Sequence, residues 1–191
     1  MDSNTHKMIA FLREIDKFKF MEREIYNSDG RKETNTDHSW HLAMFLLLLE
    51  TEVKDRIDIL KAFKMILIHD LVEIYAGDTF AFDTSEAKKT KEARELEAAD
   101  KLFKQLPQKL GKELHDLWNE YESAKTKTAK FVKGLDRIQA FNQNIMTKGR
   151  IYKEHNVSLD RVIKYKREYA DSDPLLKEIY ASFIEETKKH F

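Results

Sequence analysis

The sequence predicts an all-α fold, a single-domain helical bundle, on three observations. The 191 residues include only 5 Gly and 2 Pro, too few turn-forming residues for a many-stranded sandwich or barrel. Apolar residues recur at helical spacing from end to end, and no period-2 alternation is long enough for a sheet. Hydrophobic residues make up 41% of the chain and charged residues 36%, which indicates a folded domain rather than a disordered polymer.

Seven stripes of apolar side chains follow the spacing of one helix face, and they predict roughly seven to nine helices. In chain order the stripes cover residues 8–18, 42–49, 57–67, 96–106, 110–121, 131–145 and 175–183. Turn and capping residues separate them: the cluster at 27–30, Asp37 before a helix that starts near His38, Gly77, and the pair Asp173-Pro174. No internal repeat or low-complexity linker divides the chain, so we predict one domain over residues 1–191.

The charge balance and the absence of cysteine exclude several classes of protein. Lys and Arg number 34, as do Asp and Glu, and a zero net charge argues against a module that binds nucleic acid duplexes. Without Cys there is no thiolate ligand or nucleophile, so nitrogen and oxygen atoms must hold any metal. The longest apolar run, 42–49, has 8 residues against the roughly 20 of a membrane span, and it predicts part of a fully buried core helix. We therefore expect a cytoplasmic protein with no membrane segment.

Three places in the sequence put metal-binding side chains where apolar residues are expected. His38 begins the most hydrophobic helix, His69-Asp70 closes the apolar run 65–68, and Asp136 lies at the edge of a buried stripe. A carboxylate at the border of a core needs a cation, a set of donors or a metal, because its burial alone is costly. Two imidazoles and two carboxylates would cancel the charge of one divalent ion and leave octahedral positions open for water and substrate.

These side chains also have ordinary structural interpretations. His38 suits a helix cap or a hydrogen-bonded core histidine, and Asp136 suits an ion pair with a neighbouring Arg or Lys. A second His-Asp pair, His115-Asp116, lies among polar residues, and we interpret it as a solvated helix face. Trp40 is expected to pack in the core.

Two further acids follow the first His-Asp pair closely. Glu73 stands four residues after His69, so the two share a helix face if the helix continues. Asp78 follows a Gly that allows a sharp turn. Acids this near a metal suit proton transfer or the orientation of a water molecule.

Taken in order, three strings of the sequence resemble the HD-domain metal-dependent phosphohydrolase superfamily. They are RKETNTDHSWHLA at 31–43, HDLVEIYAGDT at 69–79 and AKFVKGLDRIQ at 129–139, and with their flanks they span about 23–145. Within the superfamily they are similar to the YfbR-type 5′-deoxynucleotidases and the HD-domain-containing-protein-2 group. The resemblance implies an all-α bundle of the HD-domain type, C-terminal helices at 158–190 packed on this core, and a homodimer.

The resemblance also implies a metal and a reaction. It assigns His38, His69, Asp70 and Asp136 as ligands of one divalent metal ion, of Mn, Co, Mg, Fe, Ni or Zn. The expected reaction is phosphomonoester hydrolysis, in which a metal-bound water releases phosphate from a (deoxy)nucleoside 5′-monophosphate. Two alternatives stay open: an HD hydrolase of another phosphorus bond, in a triphosphate, cyclic dinucleotide or alarmone, and a non-catalytic, metal-stabilised module that binds a nucleotide or a protein.

Further roles follow from the same resemblance. Glu73 matches a proton donor or water-orienting acid, Asp78 matches an acid that helps to activate the water, and Arg23 matches a phosphate-binding arginine. Arg31 and Glu33 match a recurring R-x-E, which implies a supporting or phosphate-contacting role. The residue after Arg23 departs from the nucleotidase pattern, which has Trp there, so the identity of the substrate stays open.

Overall fold

Helices form where the sequence repeats apolar residues at helical spacing, and a computed structural model describes residues 3–82 and 86–190. Within those ranges the chain forms ten α-helices, two 3-10 turns and one antiparallel pair of strands. The helices are α1 Ser3–Glu14, α2 Asn35–Val53, α3 Ile59–Ile68, α4 Glu73–Ala76, α5 Glu86–Phe103, α6 Gln108–Ser123, α7 Lys127–Met146, α8 Arg150–Glu154, α9 Leu159–Arg167 and α10 Pro174–Thr187. The strands are β1 Glu22–Tyr26 and β2 Lys32–Thr34, and the 3-10 turns are Ile15–Phe20 and Ala170–Ser172.

The long helix α7 is the centre of the bundle. It packs against α2, α3, α6, α9, α10 and β1. The main core around it includes Leu42, Met65 and Leu135, all fully buried. Gly134 allows α10 to approach closely, because a Cβ there would lie 2.6 Å from the Leu176 side chain. The predicted all-α fold is confirmed, and the C-terminal helices α9 and α10 both contact α7.

Side-chain caps fix where the helices begin. Thr34 and Asp37 form a reciprocal capping box at the start of α2, so α2 begins at Asn35 rather than near His38 as we expected. Asp37 is therefore the third residue of α2, and Thr34 is the N-cap. The cap at Asp173 ahead of Pro174 is as predicted, with the Asp173 carboxylate accepting from the Leu175 N–H.

The pair of strands corrects our prediction that the chain forms no sheet. β1 and β2 pair antiparallel, with Glu22 opposite Thr34 and Tyr26 opposite Lys32, and the turn cluster at 27–30 joins them. Only Ile25 in β1 is buried, so the strand lacks the apolar alternation that would have revealed it. Contacts of β1 with α7 and α8 hold the hairpin in place.

The surface of α2 corrects a second prediction. Trp40, Leu47 and Leu48 are exposed by 67%, 50% and 76%, so the apolar run 42–49 is not fully buried and Trp40 lies outside the core. The helix is apolar on all sides, but the bundle covers only one of them. Among residues 3–82 and 86–190, no helix combines the length and apolarity needed to cross a bilayer.

Candidate metal centre and active site

Three separate helices bring His38, His69 and Asp136 together. His38 lies in the first turns of α2, His69 caps the C-terminus of α3, and Asp136 lies midway along α7. One nitrogen of each imidazole and one oxygen of the carboxylate all lie within 4.8 Å of one another. His38 Nε2 is 3.0 Å from Asp136 Oδ1, and the two imidazole rings are 5.4 Å apart. Residues far apart in the sequence therefore form one cluster of potential ligands.

Asp70 joins this cluster from the side. Its Oδ2 is 3.2 Å from His69 Nε2 and 3.9 Å from His38 Nε2. The same oxygen accepts a hydrogen bond from Arg23 Nη1 at 2.7 Å, so Asp70 links the cluster to the guanidinium group. Burial opposes ionisation of Asp70, but the neighbouring His69, Arg23 and His38 outweigh it and hold the pKa of the carboxyl well below its usual range.

The ring nitrogens of both histidines are arranged as a metal ligand requires. His69 Nδ1 donates to the Ile66 carbonyl at 2.8 Å, and His38 Nδ1 donates to Gln139 Oε1 at 2.7 Å. Each Nε2 is then buried and faces a carboxylate oxygen, Asp136 Oδ1 at 3.0 Å from His38 and Asp70 Oδ2 at 3.2 Å from His69. Burial opposes protonation of His69, but Asp70 and Asp136 outweigh it and raise the pKa of the imidazole. A ring nitrogen and a carboxylate oxygen this close together require positive charge between them, from a ring proton or from a bound cation. The residues therefore fit a divalent cation with nitrogen and oxygen ligands.

A buried chain of hydrogen bonds orients His38, and the sequence analysis did not predict it. The Gln139 Nε2 donates to Glu33 Oε1 at 2.9 Å, which fixes the amide so that its oxygen faces His38. Glu33 also pairs with Arg23 at 3.3 Å. Gln139 follows Asp136 by three residues on α7, so helical spacing from a proposed ligand was the signal that could have found it.

Glu73 lies beside the cluster, but not on a continuous helix. α3 ends at Ile68, a turn follows, and Glu73 begins α4, so the shared helix face that we expected is absent. The Asn35 amide donates to Glu73 Oε2 at 2.7 Å. Burial, reinforced by Asp70 and Asp78, raises the pKa of Glu73 well above its ordinary value. This shift favours the protonated form of Glu73 beside the carboxylates of the cluster.

Asp78 reaches the same region because Gly77 turns the chain. Gly77 has φ +76°, a backbone conformation that residues other than glycine rarely adopt. Its N–H donates to the Glu73 carbonyl at the C-terminal end of α4. Burial raises the pKa of Asp78, and the Arg23 charge opposes that effect while Asp70 adds to it. Gly77 thus positions a second acid on the wall that carries Asp70.

These side chains border a cavity of about 920 Å³. Its wall includes His69, Asp70 and Asp136 together with the acids Glu73 and Asp78, whereas His38 lies fully buried behind it. Aromatic rings also line the cavity, and the Phe82 ring lies with its centroid 5.1–5.8 Å from those of three others: Phe80, Tyr152 and Tyr165. The cavity therefore combines a polar, charged wall with an aromatic one.

Two predicted substrate-binding residues lie outside this cavity. Arg31 is half exposed and pairs with Asp37 at 2.6 Å, because it lies beyond the hairpin turn and points to the start of α2. Glu33 is 1% exposed and lies behind Arg23, which favours the supporting role over phosphate contact. Arg23, in contrast, lines the cavity.

Other histidines lie apart from the cluster. His41 accepts from Gln139 Nε2 at 3.2 Å. His115 pairs with Asp100 at 3.0 Å, and Asp116 pairs with Lys112 on the exposed surface of α6. The second His-Asp pair therefore contributes nothing to the cavity, as we predicted.

The sequence profile of the HD domain matches residues 15–178, which is most of the chain. This chain belongs to the HD-domain family. The resemblance inferred from the three strings is thereby confirmed.

Curated relatives of this HD-domain chain carry names that state an activity. It is 33% identical to the human 5′-deoxynucleotidase HDDC2 over 138 residues, covering 71% of this chain and 66% of the human protein. It is 28% identical to the 5′-deoxynucleotidase YBR242W of Saccharomyces cerevisiae over 142 residues, covering 71% of this chain and 58% of the yeast protein. The chain therefore matches somewhat less than two-thirds of the length of these relatives.

Solved structures share the fold of the HD-domain chain. A crystal structure of a "predicted metal-dependent phosphohydrolase" from Magnetospirillum magnetotacticum superposes with a TM-score of 0.91 at 35% identity, covering 98% of this chain and 94% of that one. PH0347 from Pyrococcus horikoshii superposes with a TM-score of 0.67 at 22% identity, covering 93% and 99%, which shows the fold alone.

Proposed function

We propose that this HD-domain chain is a metal-dependent phosphohydrolase that releases phosphate from (deoxy)nucleoside 5′-monophosphates. The convergence of the Nε2 atoms of His38 and His69 with the Asp136 and Asp70 carboxylates at the wall of an open cavity carries the proposal. The names of its relatives, 5′-deoxynucleotidases, support the same class of substrate. The aromatic wall supports a nucleotide, because nucleobases stack on such rings.

In this proposal His38, His69, Asp70 and Asp136 hold one divalent ion of the first-row or magnesium type. When bound, that ion supplies Lewis-acid activation of a water molecule and of the phosphoryl group. Gln139 and the Ile66 carbonyl keep both imidazoles in the tautomer that presents Nε2.

The other side chains handle charge and protons. Arg23 lies on the cavity wall beside Asp70 and offsets the negative charge of the phosphoryl oxygens. Glu73, whose pKa is raised by burial, gives its proton to the leaving oxygen, and the Asn35 amide orients the Glu73 carboxyl group. Asp78 accepts or positions a proton of the attacking water.

We also propose that two copies associate through α2. Trp40, Leu47 and Leu48 lie on one exposed face of a helix that is apolar all round, and such a helix is normally covered on every side. A second copy of this chain is the occupant that the self-complementary, uncharged face favours. A cytoplasmic location stays a prediction from the sequence.

The test is phosphate release from a panel of nucleoside 5′-monophosphates with Mn²⁺ or Co²⁺ added to the metal-free protein. We expect turnover in the wild type, and loss of at least about 100-fold in His69→Gln because a ligand is weakened. His115→Gln, which alters the other His-Asp pair, is the matched control and should keep wild-type activity.

Products and stability separate the alternatives. Pyrophosphate or triphosphate as the product would replace the monoesterase by a hydrolase of another phosphorus bond. A metal-loaded wild type that turns over none of these substrates, but loses thermal stability in His69→Gln, would show a non-catalytic metal-stabilised module instead.

A further inference from the structure

More carboxylates than Lys or Arg side chains line the cavity, and not all of these cations have a carboxylate partner. Nine carboxylates and five Lys or Arg side chains line it, so the described wall is strongly acidic. Four of the five cations already pair with a carboxylate: Arg23 with Asp70 at 2.7 Å, Lys91 with Glu95 at 3.3 Å, Lys133 with Glu122 at 3.0 Å and Arg137 with Glu168 at 2.7 Å. A phosphate monoester entering the cavity therefore meets mostly neutralised cations.

Among the five cations of the described cavity wall, Lys166 is the one without a carboxylate partner. It projects from α9, is only 5% exposed, and has no carboxylate within 4.0 Å in the described parts of the chain. Its Nζ donates to the Arg137 carbonyl at 3.2 Å, one residue after Asp136, and its other two N–H groups have no described acceptor. The Tyr165 ring lies 5.6 Å from the same Nζ, so an ammonium there has one carbonyl and one ring face as neutral partners. A buried ammonium without an anionic partner is costly, and an anionic ligand in the cavity would offset that cost.

We propose that Lys166 binds the phosphate group of the substrate, as the cation of the cavity that stays available when the ligand arrives. The proposal rests on the proposed phosphohydrolase function and adds a substrate-binding residue to it. The N–H groups of Lys166 donate to the oxygens of a phosphate dianion, because no described carboxylate of the wall lies close enough to accept from them. The motif strings do not predict a role for Lys166, which lies outside all three of them.

The test compares Lys166→Met with Lys164→Met, which removes an exposed lysine of the same helix. For Lys166→Met we expect the KM for the nucleotide, and the inhibition constant of inorganic phosphate, to rise roughly 10- to 100-fold, since a hydrogen bond to a charged group is lost. Metal affinity should stay at the wild-type value, and the melting temperature should not fall. Lys164→Met should match the wild type in all four measurements.

A purely structural Lys166 would give a different result. Unchanged KM and phosphate inhibition in a folded, metal-loaded Lys166→Met would overturn the proposal. If Lys166→Met and Lys166→Gln both fail to fold, amine acylation of the wild type decides: inorganic phosphate should protect Lys166 and leave Lys164 reactive. Equal labelling with and without phosphate would also overturn it.

Titration of inorganic phosphate separates this proposal from the function itself. A wild type without turnover on any monophosphate defeats the phosphohydrolase proposal. Phosphate binding to the metal-loaded protein, weakened in Lys166→Met, would still support the site in that case.

Discussion

Single side chains define the chemistry of this site through their hydrogen-bond partners. Each Nδ1 donates to a neighbouring oxygen, so both imidazoles present Nε2 to the carboxylates of the cluster. His38 depends on the amide of Gln139, whose orientation depends in turn on Glu33. The same neighbourhood raises the pKa of Glu73 and lowers the pKa of Asp70, so the two carboxyl groups, three residues apart, differ in their affinity for a proton.

Gln139→Met should weaken metal binding by about 10- to 100-fold, because His38 loses the partner that fixes its tautomer. Gln143→Met is the matched control, since Gln143 is also buried on α7 but donates to the Tyr26 carbonyl. A chelator competition titration with Mn²⁺ or Co²⁺ measures both affinities. Equal affinities in the two variants would show that the Gln139 bond does not tune the site.

Lys166 should make the stability of the metal-free protein depend on pH. Burial lowers the pKa of Lys166 from 10.5 to about 7; Asp136 and Glu33 oppose this shift, whereas Arg137 and Arg23 add to it. Between these two values the unfolded state binds more protons than the folded state, so the free energy of unfolding rises with pH across that window.

The variant Lys166→Met has no amine at this position, so its free energy of unfolding lacks this dependence on pH. From pH 7 to pH 9 the wild type should gain on the order of 2 kcal/mol relative to the variant, measured by urea unfolding with chelator present. Lys164→Met, altered on the exposed side of α9, should keep the wild-type slope. Parallel curves for Lys166→Met and the wild type would contradict the shifted pKa.

At the scale of elements, the start of α2 and the end of α3 fix where the imidazoles lie. The hairpin β1–β2 delivers the chain to the capping box of Thr34 and Asp37, and His38 follows directly. The break after α3 points Asp70 towards Arg23 of β1. A strand too polar to be recognised in the sequence therefore supplies the arginine of the site.

Thr34→Ala should destabilise the protein by about 1 kcal/mol through loss of the cap, and should also weaken metal binding because His38 lies in the turns that follow. Ser158→Ala, which removes the cap of α9, is the control and should lower stability by a similar amount with unchanged metal affinity. Thermal unfolding and the chelator titration measure the two effects. A Thr34 variant that binds metal like the Ser158 variant would show that the cap does not position His38.

At the scale of the whole molecule, α7 serves both the hydrophobic core and the candidate site. It is the central helix of the core, and it carries Asp136 towards the imidazoles and the Arg137 carbonyl towards Lys166. Because α2 turns His38 towards the cluster, its opposite, apolar face is available for a second copy of the chain. Association and the metal centre would then share one helix.

Leu48→Glu should convert the dimer into a monomer, because a charge in the middle of the α2 face opposes its burial. Leu60→Glu is the control: Leu60 is exposed by 68% on α3, away from that face, and its variant should stay dimeric. Light scattering after size-exclusion chromatography gives the masses. A wild type that is monomeric at every concentration would refute the α2 interface.

The sequence determined the helical class, the HD-domain family and the identity of the acids and imidazoles at the centre, because helical periodicity and the three motif strings are local signals. The metal-ligand, catalytic and substrate-binding roles assigned to those residues stay predictions. Only the tertiary structure decided which polar groups orient them. Gln139, Asn35 and Lys166 act across contacts between elements distant in the chain. Helical spacing from Asp136 points to Gln139, but neither periodicity nor spacing identifies the partners of these three side chains. The same holds for the exposed face of α2, since the sequence shows that a helix is apolar all round but not which side the bundle leaves uncovered.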